Sequence, residues 1–183
     1  MKKSIIILVS FLINTSYITA QTPTLQWQKT LGGTLEDMAS TIIQTSDGGY
    51  LTVGYSYSSD GNVTLNHGVQ DYWVVKLNAT GTIEWQKSLG GSDEDTPTSV
   101  VQTTDGGYAV AGFTASTDGD VTGNHGEYDY WVVRLNSTGT ILWQKTYGGT
   151  NNDMAYSIAP TSDSGFIVAG LTTSYDGDIN DNN

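Results

Sequence analysis

A period of 58 residues constrains this chain more than any other feature of its sequence. Trp27, Trp85 and Trp143 are 58 residues apart, and so are the aspartates at positions 47, 105 and 163, each of which opens a turn. Residues 25–82 match residues 83–140 at 33 of 58 aligned positions. Self-similarity at a fixed period predicts a solenoid, a propeller or an array, in which copies of one unit stack on each other.

Each copy of the repeat predicts four short strands. In the second copy these are Thr82 to Ser88, about Thr98 to Thr103, Tyr108 to Thr114, and Asp129 to Leu135. Apolar residues alternate with polar ones in the first of them, which is the period of a half-buried strand. The Asp-Gly-Gly step before Tyr108 favours a tight hairpin. Four antiparallel strands at constant spacing are typical of a propeller blade, so we expect an all-β fold of four-stranded, propeller-like blades.

The predicted repeats are 25–82, 83–140 and a shorter third copy, 141–183. The third copy predicts strands at Ile141 to Tyr147, Tyr156 to Pro160 and Phe166 to Thr172, but has no Asp-Tyr-Trp strand. This gives eleven predicted strands, or about 2.75 blades, whereas closed propellers have about four to eight. Two interpretations remain open. The sequence is part of a longer gene product, or another chain supplies the missing blades.

The recurring tryptophans have a structural interpretation in such a fold. A Trp side chain can bury a large apolar surface between neighbouring blades while its N–H finds an acceptor at the seam. We therefore expect Trp85 and Trp143 to lie buried between blades. Stacking against a sugar is the alternative function for these indoles.

The first twenty residues have the layout of a cleavable secretory signal. Lys2 and Lys3 precede a short apolar stretch, and a small residue, Ala20, precedes the expected new N-terminus at Gln21. The apolar stretch is shorter than the ~20 residues of a spanning helix, so a membrane anchor is the less favoured alternative. The chain has no cysteine, so no lipid-anchor site is seen. We expect a protein that is secreted or displayed at the cell surface.

The charge of the chain excludes two classes of partner. The net charge is −12, from 7 basic and 19 acidic residues, and removal of the leader with its two lysines would change it to −14. Nucleic acids and anionic membrane surfaces would repel such a protein. A surplus of carboxylates is compatible with divalent cations.

An acidic loop after the third predicted strand is the candidate metal site. Calcium prefers six to eight oxygen ligands, and closely spaced carboxylates can supply several of them. Alternatively, Asp-Gly simply forms a turn in which the carboxylate accepts hydrogen bonds from nearby backbone. The candidate calcium ligands are Asp60, Asn62, Asp118, Asp120, Asp176 and Asp178.

Two other polar features recur with the repeat. His67 and His125 could bind a metal or act as a base, but their Asn-His-Gly setting favours hydrogen bonds that fix the long loop. Asp93, Glu94 and Asp95 form an acidic cluster that could suggest glycoside hydrolysis. Similar residues recur in the other copies, which favours a solvated turn.

Several motifs carry a family resemblance that covers residues 25–183. The motifs W-Q-K-x-x-G-G, D-G-G-Y, N-H-G and D-Y-W-V-V together resemble a family of secreted bacterial repeat proteins of β-propeller type, which are often exported by the type IX route. The stretches Leu77 to Trp85 and Leu135 to Trp143 are more distantly similar to quinoprotein-type propeller repeats, with one residue fewer before Thr-Gly. The resemblance implies a propeller fold and specifies no ligand.

The sequence favours a protein without catalytic residues. Catalysis requires one asymmetric set of groups, whereas the conspicuous polar residues here recur in every copy. We expect a secreted or cell-surface repeat protein that binds a glycan or a protein through its blade loops. The alternatives are part of a polysaccharide-acting enzyme, or a purely structural adhesin module. No cofactor is predicted other than the possible calcium.

Overall fold

The computed structural model describes residues 24–179, so the predicted leader at 1–20 lies outside the described residues. Within these residues the chain is all-β, and it has no helix long and apolar enough to cross a membrane. The ten strands are β1 (Asp37–Gln44), β2 (Tyr50–Ser56), β3 (Asp71–Leu77), β4 (Ile83–Leu89), β5 (Asp95–Gln102), β6 (Tyr108–Thr114), β7 (Asp129–Leu135), β8 (Ile141–Tyr147), β9 (Asp153–Pro160) and β10 (Phe166–Thr172).

The strands form three antiparallel sheets. Sheet one has the order β1-β2-β3-β4, sheet two has the order β5-β6-β7-β8, and sheet three consists of β9 and β10. Each connection joins neighbouring strands, as in the up-and-down blades of a propeller. The expectation of propeller-like, four-stranded blades in an incomplete set is therefore confirmed.

The sheets are out of phase with the predicted repeats by one strand. The strand that carries the repeated Trp pairs with the strand before it, as β4 does with β3, so each four-stranded sheet takes its last strand from the following repeat. Residues 24–36, which include Trp27, contain no strand. The predicted strand there is wrong because the part of the chain that the structure describes holds no earlier Asp-Tyr-Trp strand to pair with it. Ten strands are therefore described instead of eleven.

Most predicted strand limits agree with the structure, but the strands predicted from Thr98 and Tyr156 begin earlier. Strand β5 starts at Asp95 and β9 at Asp153. The register of β5 shifts between Pro97 and Ser99. A bulge at the edge of a sheet tolerates a proline, which lacks the N–H needed for regular pairing. Strand β5 therefore runs through Pro97, the residue just before the predicted start of the strand at Thr98.

Most of the core lies at two seams between the stacked sheets, and a third cluster of Val63, Trp73, Val75 and Leu77 lies on the outer face of sheet one. At the first seam, apolar side chains of sheets one and two form one cluster, which contains Leu51, Val53, Tyr72, Val74, Val100, Tyr108, Val110 and Trp131. At the second seam a smaller cluster joins sheets two and three, and it contains Ala109, Ala111, Val132, Ala155 and Ile158. Successive side chains of a strand point to opposite faces. Sheet two therefore contributes alternate residues to both seams.

The repeated Trp has the predicted place at the first seam. The Trp85 side chain is half-buried, and its Nε1–H donates to the Ser137 carbonyl oxygen at 3.2 Å. It lies against the turn at Gly139, where a Cβ would be 2.8 Å from the indole ring. Trp143 differs, since it is 43% exposed. Its expected burial is wrong because residues 24–179 contain no equivalent turn for its ring to cover.

Candidate functional site

The acidic loop of each repeat bonds to the segment that leads into its own sheet; for the second and third sheets this segment is the crossover from the preceding sheet. The Asp118 Oδ1 accepts from the Ser92 N–H at 2.7 Å, and the Asp60 Oδ1 accepts from the Thr34 N–H at 2.8 Å. The Asp176 Oδ1 accepts from the Thr150 N–H at 2.8 Å. Each of these aspartates therefore joins its loop by a hydrogen bond to the segment that leads into the same sheet.

The other three predicted calcium ligands lie beside the same crossovers. The Asp120 Oδ2 and the Asn62 Oδ1 accept weakly from the Gly90 and Gly32 N–H groups, at 3.4 and 3.3 Å, and the Asp178 N–H donates to the Gly148 oxygen at 2.9 Å. The six residues therefore occupy three separate loops. Among residues 24–179, no group of three or more His, Cys, Asp or Glu side chains is arranged to hold a metal ion. Calcium binding at these loops stays a prediction.

The histidines fix the long loops, as their sequence context favours. The His67 backbone N–H and Nδ1 both approach the Asp71 Oδ2, at 3.0 and 2.6 Å. His125 makes the same contacts with Asp129, at 2.9 and 2.7 Å. Each His therefore ties a loop to the first residue of the buried third strand of its sheet.

Buried carboxylates at the seams were missed by the sequence interpretation. Asp71 and Asp95 are both fully buried. A Cβ at Gly90 would overlap the Asp95 carboxylate and would lie 3.0 Å from the Asp71 Oδ1. The solvated turn predicted for Asp93 to Asp95 is therefore wrong at its last residue. The Gly-Gly pair five and four residues before Asp95, which recurs before Asp153, is the sequence signal that could have indicated the burial of Asp95.

The environment of Asp95 raises its pKa. Burial is the main cause, and it outweighs the donors Thr114, Gly91 and Ser116, so the pKa rises to about 6. The Gly91 N–H and the Ser116 hydroxyl both bond to the Asp95 Oδ2 at 2.9 Å. Burial likewise raises the pKa of Asp71, against the opposing effect of His67.

Asp153, at the second seam, has the same place in its sheet but the opposite pKa shift. Burial again raises its pKa, but hydrogen bonds from Thr172, Ser174 and the Gly149 N–H outweigh burial and lower it overall. Neither aspartate can touch a substrate, because both side chains are fully buried. The geometry gives these carboxylates a structural role at the seams.

The second seam is open at the end where the Asp-Gly turns lie. In the first seam, the Gln102 Oε1 at the end of β5 accepts from the Ser46 N–H at 2.8 Å, which joins β5 to the turn between β1 and β2. Pro160 occupies the position equivalent to Gln102 and cannot make this bond. A cleft of about 710 Å³ opens there, and it is lined by polar turn residues together with Arg134, which pairs with Asp105.

Two apolar grooves lie at the ends of the stack. We call the first the N-terminal groove; its volume is about 370 Å³, and it lies on the outer face of sheet one between Trp27, Ile42, Gly54 and Trp73. We call the second the C-terminal groove; its volume is about 400 Å³. The C-terminal groove is lined by Tyr130, Val132, Trp143, Tyr147, Phe166 and Val168.

Comparison with known proteins gives one weak match. No family model matches the chain. The regulatory protein FlaEY of Caulobacter vibrioides is 26% identical to it over 159 residues, an alignment that covers 81% of this chain. The alignment covers 17% of the Caulobacter protein, so the chain corresponds to a small part of that protein.

Proposed function

We propose that this chain is a non-enzymatic scaffold, secreted or displayed at the cell surface, that binds another protein through the exposed ends of its sheet stack. The observation that carries the proposal is how polar and apolar side chains are distributed. The recurring carboxylates and histidines are bonded at loops and seams, whereas large apolar side chains are exposed on sheet three. These side chains are Tyr156 at 53%, Ile167 at 62% and Leu171 at 45% exposure.

Exposed apolar side chains concentrated on one face of a soluble protein mark an interaction surface. The side chain of Ile167 is equivalent in the repeat to Ala109, which is buried at the second seam. The outer face of sheet three therefore has the polarity of an internal seam. A protein surface is a better match to such a face than a glycan, because Ile167 and Leu171 offer a sugar neither hydrogen bonds nor a flat aromatic ring. The name of the Caulobacter relative, a regulatory protein, is compatible with a binding role.

The blade loops are a less favoured place for a ligand. Asp60, Asp118 and Asp176 already accept backbone hydrogen bonds within the chain. Leu65 is exposed on one of these loops, at 52%, so it offers a position at which loop binding can be distinguished from binding at the ends.

Photo-crosslinking in producing cells tests the proposal. A photoreactive p-benzoylphenylalanine would replace Ile167 on the outer face of sheet three, Trp27 in the N-terminal groove, or Leu65 on the loop, one position at a time. We expect a discrete protein adduct from Ile167 or Trp27 and none from Leu65. Adducts from Leu65 alone would move the site to the loops, and the lack of any adduct at both Ile167 and Trp27 would contradict the proposal. Accessibility to added protease on intact cells tests the proposed location.

A further inference from the structure

Two fully buried carboxylates face each other across the first seam. Asp71 is the first residue of β3 in sheet one, and Asp95 is the first residue of β5 in sheet two. Gly90 lies between them, since a Cβ there would overlap the Asp95 carboxylate and would be 3.0 Å from the Asp71 Oδ1. Both sheets have all four strands, so this contact belongs to a complete joint of the stack.

One oxygen of Asp71 has no hydrogen-bond donor. The His67 backbone N–H and Nδ1 both approach the Asp71 Oδ2. The Asp71 Oδ1 is buried and has no hydrogen-bond partner among the residues that the structure describes. A buried carboxylate oxygen without a donor costs free energy, because it has lost its bonds to water and gained none in the protein. A group that supplies a hydrogen at this oxygen would therefore stabilise the seam.

The second seam repeats this arrangement. The Asp129 Oδ1 is also buried, and it has no hydrogen-bond partner within residues 24–179. A Cβ at Gly148 would lie 2.5 Å from this oxygen and 2.7 Å from the Asp153 Oδ2. Each seam therefore places a carboxylate oxygen without a donor beside a second buried carboxylate, which makes the pair a property of the repeat.

The charges around the first pair leave one negative charge in excess. In the described part of the chain, no ion pair joins a lysine or an arginine to Asp71 or Asp95. The titratable groups that face the pair are His67 and Asp120 beside Asp71, and Tyr72 beside Asp95. His67 lies on the opposite oxygen of Asp71, and Asp120 adds negative charge. A hydrogen at the Asp71 Oδ1 would remove the excess charge and satisfy the free oxygen together.

A proton suits this position better than a metal ion. The backbone of Gly90 lies close to both carboxylates, so little space is left between them. Calcium requires six to eight oxygen ligands. Within residues 24–179, no three His, Cys, Asp or Glu side chains are arranged to hold a metal ion. A proton requires only the two facing carboxyl groups.

We infer that Asp71 and Asp95 share one proton, held between the Asp71 Oδ1 and the Asp95 carboxyl group, and that its loss weakens the first seam as the pH rises. Two carboxylates in one site do not ionise together easily, because like charges repel in a medium that screens them poorly. Burial is the main cause that raises the pKa of both groups, and the charge of Asp71 adds to the shift of Asp95. The stability from the shared proton is fully present below the ordinary pKa of 3.8 and is lost as the pH rises through about 6.

Carbon-13 NMR of the wild-type protein tests the shared proton without any substitution. We expect the carboxyl carbons of Asp71 and Asp95 to change together, with one common midpoint at about pH 6, because a coupled pair titrates as a unit. The carboxyl carbon of Asp153, whose pKa is lowered, is the internal reference and should stay constant in this range. A change that is confined to Asp95 would overturn the inference.

Two variants separate the pair from its surroundings. Asp71→Asn supplies an amide N–H to Asp95 in place of the proton, so the midpoint of the Asp95 carboxyl carbon should fall by about one pH unit or more. His67→Gln is the matched control, because it removes a neighbouring titration and keeps both carboxylates, and the midpoint should stay at about 6. Circular dichroism verifies the fold of each variant.

Two further results would overturn the inference. A midpoint that stays at about 6 in Asp71→Asn would show that Asp95 titrates alone. A midpoint that millimolar calcium chloride shifts, while sodium chloride of equal ionic strength does not, would show that the pair holds a metal ion in place of the proton.

Discussion

The buried Asp95 makes the stability of this protein depend on pH in a calculable way. The pKa of Asp95 in the folded chain is about 6, against an ordinary value of 3.8. A difference of about two pH units corresponds to about 3 kcal/mol, at about 1.4 kcal/mol for each unit. Because the folded state binds the proton more tightly, this stability is fully present below the ordinary pKa. It is lost as the pH rises through about 6.

Asp95→Asn isolates this effect, since it removes the titration and keeps the shape of the side chain. We expect the free energy of unfolding of the wild type, relative to the variant, to fall by about 3 kcal/mol between pH 3 and pH 7. Urea denaturation followed by tryptophan fluorescence at several pH values measures it. A wild-type profile parallel to that of the variant would refute the assignment.

Asp153→Asn is the matched control, because Asp153 has the same position but a lowered pKa. The stability that Asp153 contributes is present above its unfolded pKa and is lost as the pH falls through the folded value. The two variants should therefore change the pH profile in opposite directions. If both change it in the same direction, local hydrogen bonding does not determine the sign of the shift.

The turns, the first seam and the acidic loop each give one further prediction. Ser164 has a φ of 68° at the position in the repeat where Gly106 has a φ of 82°, and a positive φ is unfavourable for any residue with a Cβ. Ser164→Gly should therefore stabilise the chain by about 1 kcal/mol, and Gly106→Ser should destabilise it by a similar amount, as measured by urea denaturation. Trp85→Phe should cost about 1 kcal/mol or more through its lost hydrogen bond and packing, whereas Trp143→Phe at the exposed position should cost less. A chelator should leave the thermal midpoint unchanged, because no three His, Cys, Asp or Glu side chains of residues 24–179 are arranged to hold a metal ion. A clear fall in the midpoint would favour the predicted calcium binding.

Local patterns in the sequence predict the strands well. Tyr108–Thr114, Asp129–Leu135 and Phe166–Thr172 are correct to the residue. A tight Gly turn lies at one end of each of these strands, and the spacing recurs in each copy, so local sequence determines their limits. The assignment of strands to sheets, in contrast, could not be predicted from local patterns. A periodic sequence has no intrinsic starting point, and only the long-range pairing of β3 with β4 shows where each sheet ends.

The buried carboxylates could not be predicted from charge alone. Asp95 follows two other acidic residues, so its sequence neighbours suggest a solvated turn. Its burial depends on the Ser116 hydroxyl and the Gly91 N–H, which the fold brings to it from another loop and from the crossover. The end grooves were also missed, because they depend on which partner strands each sheet has.

The offset between repeat and sheet has a consequence for how such a gene can change length. An isolated copy, cut at the Trp-Gln-Lys motif, would hold three strands of one sheet and the last strand of another, so it could not fold as a unit. Inserting or removing 58 codons at any point of the array, in contrast, restores every pairing. Duplication by unequal recombination therefore needs no favoured breakpoint. The number of sheets can change while the contacts between neighbouring sheets stay the same.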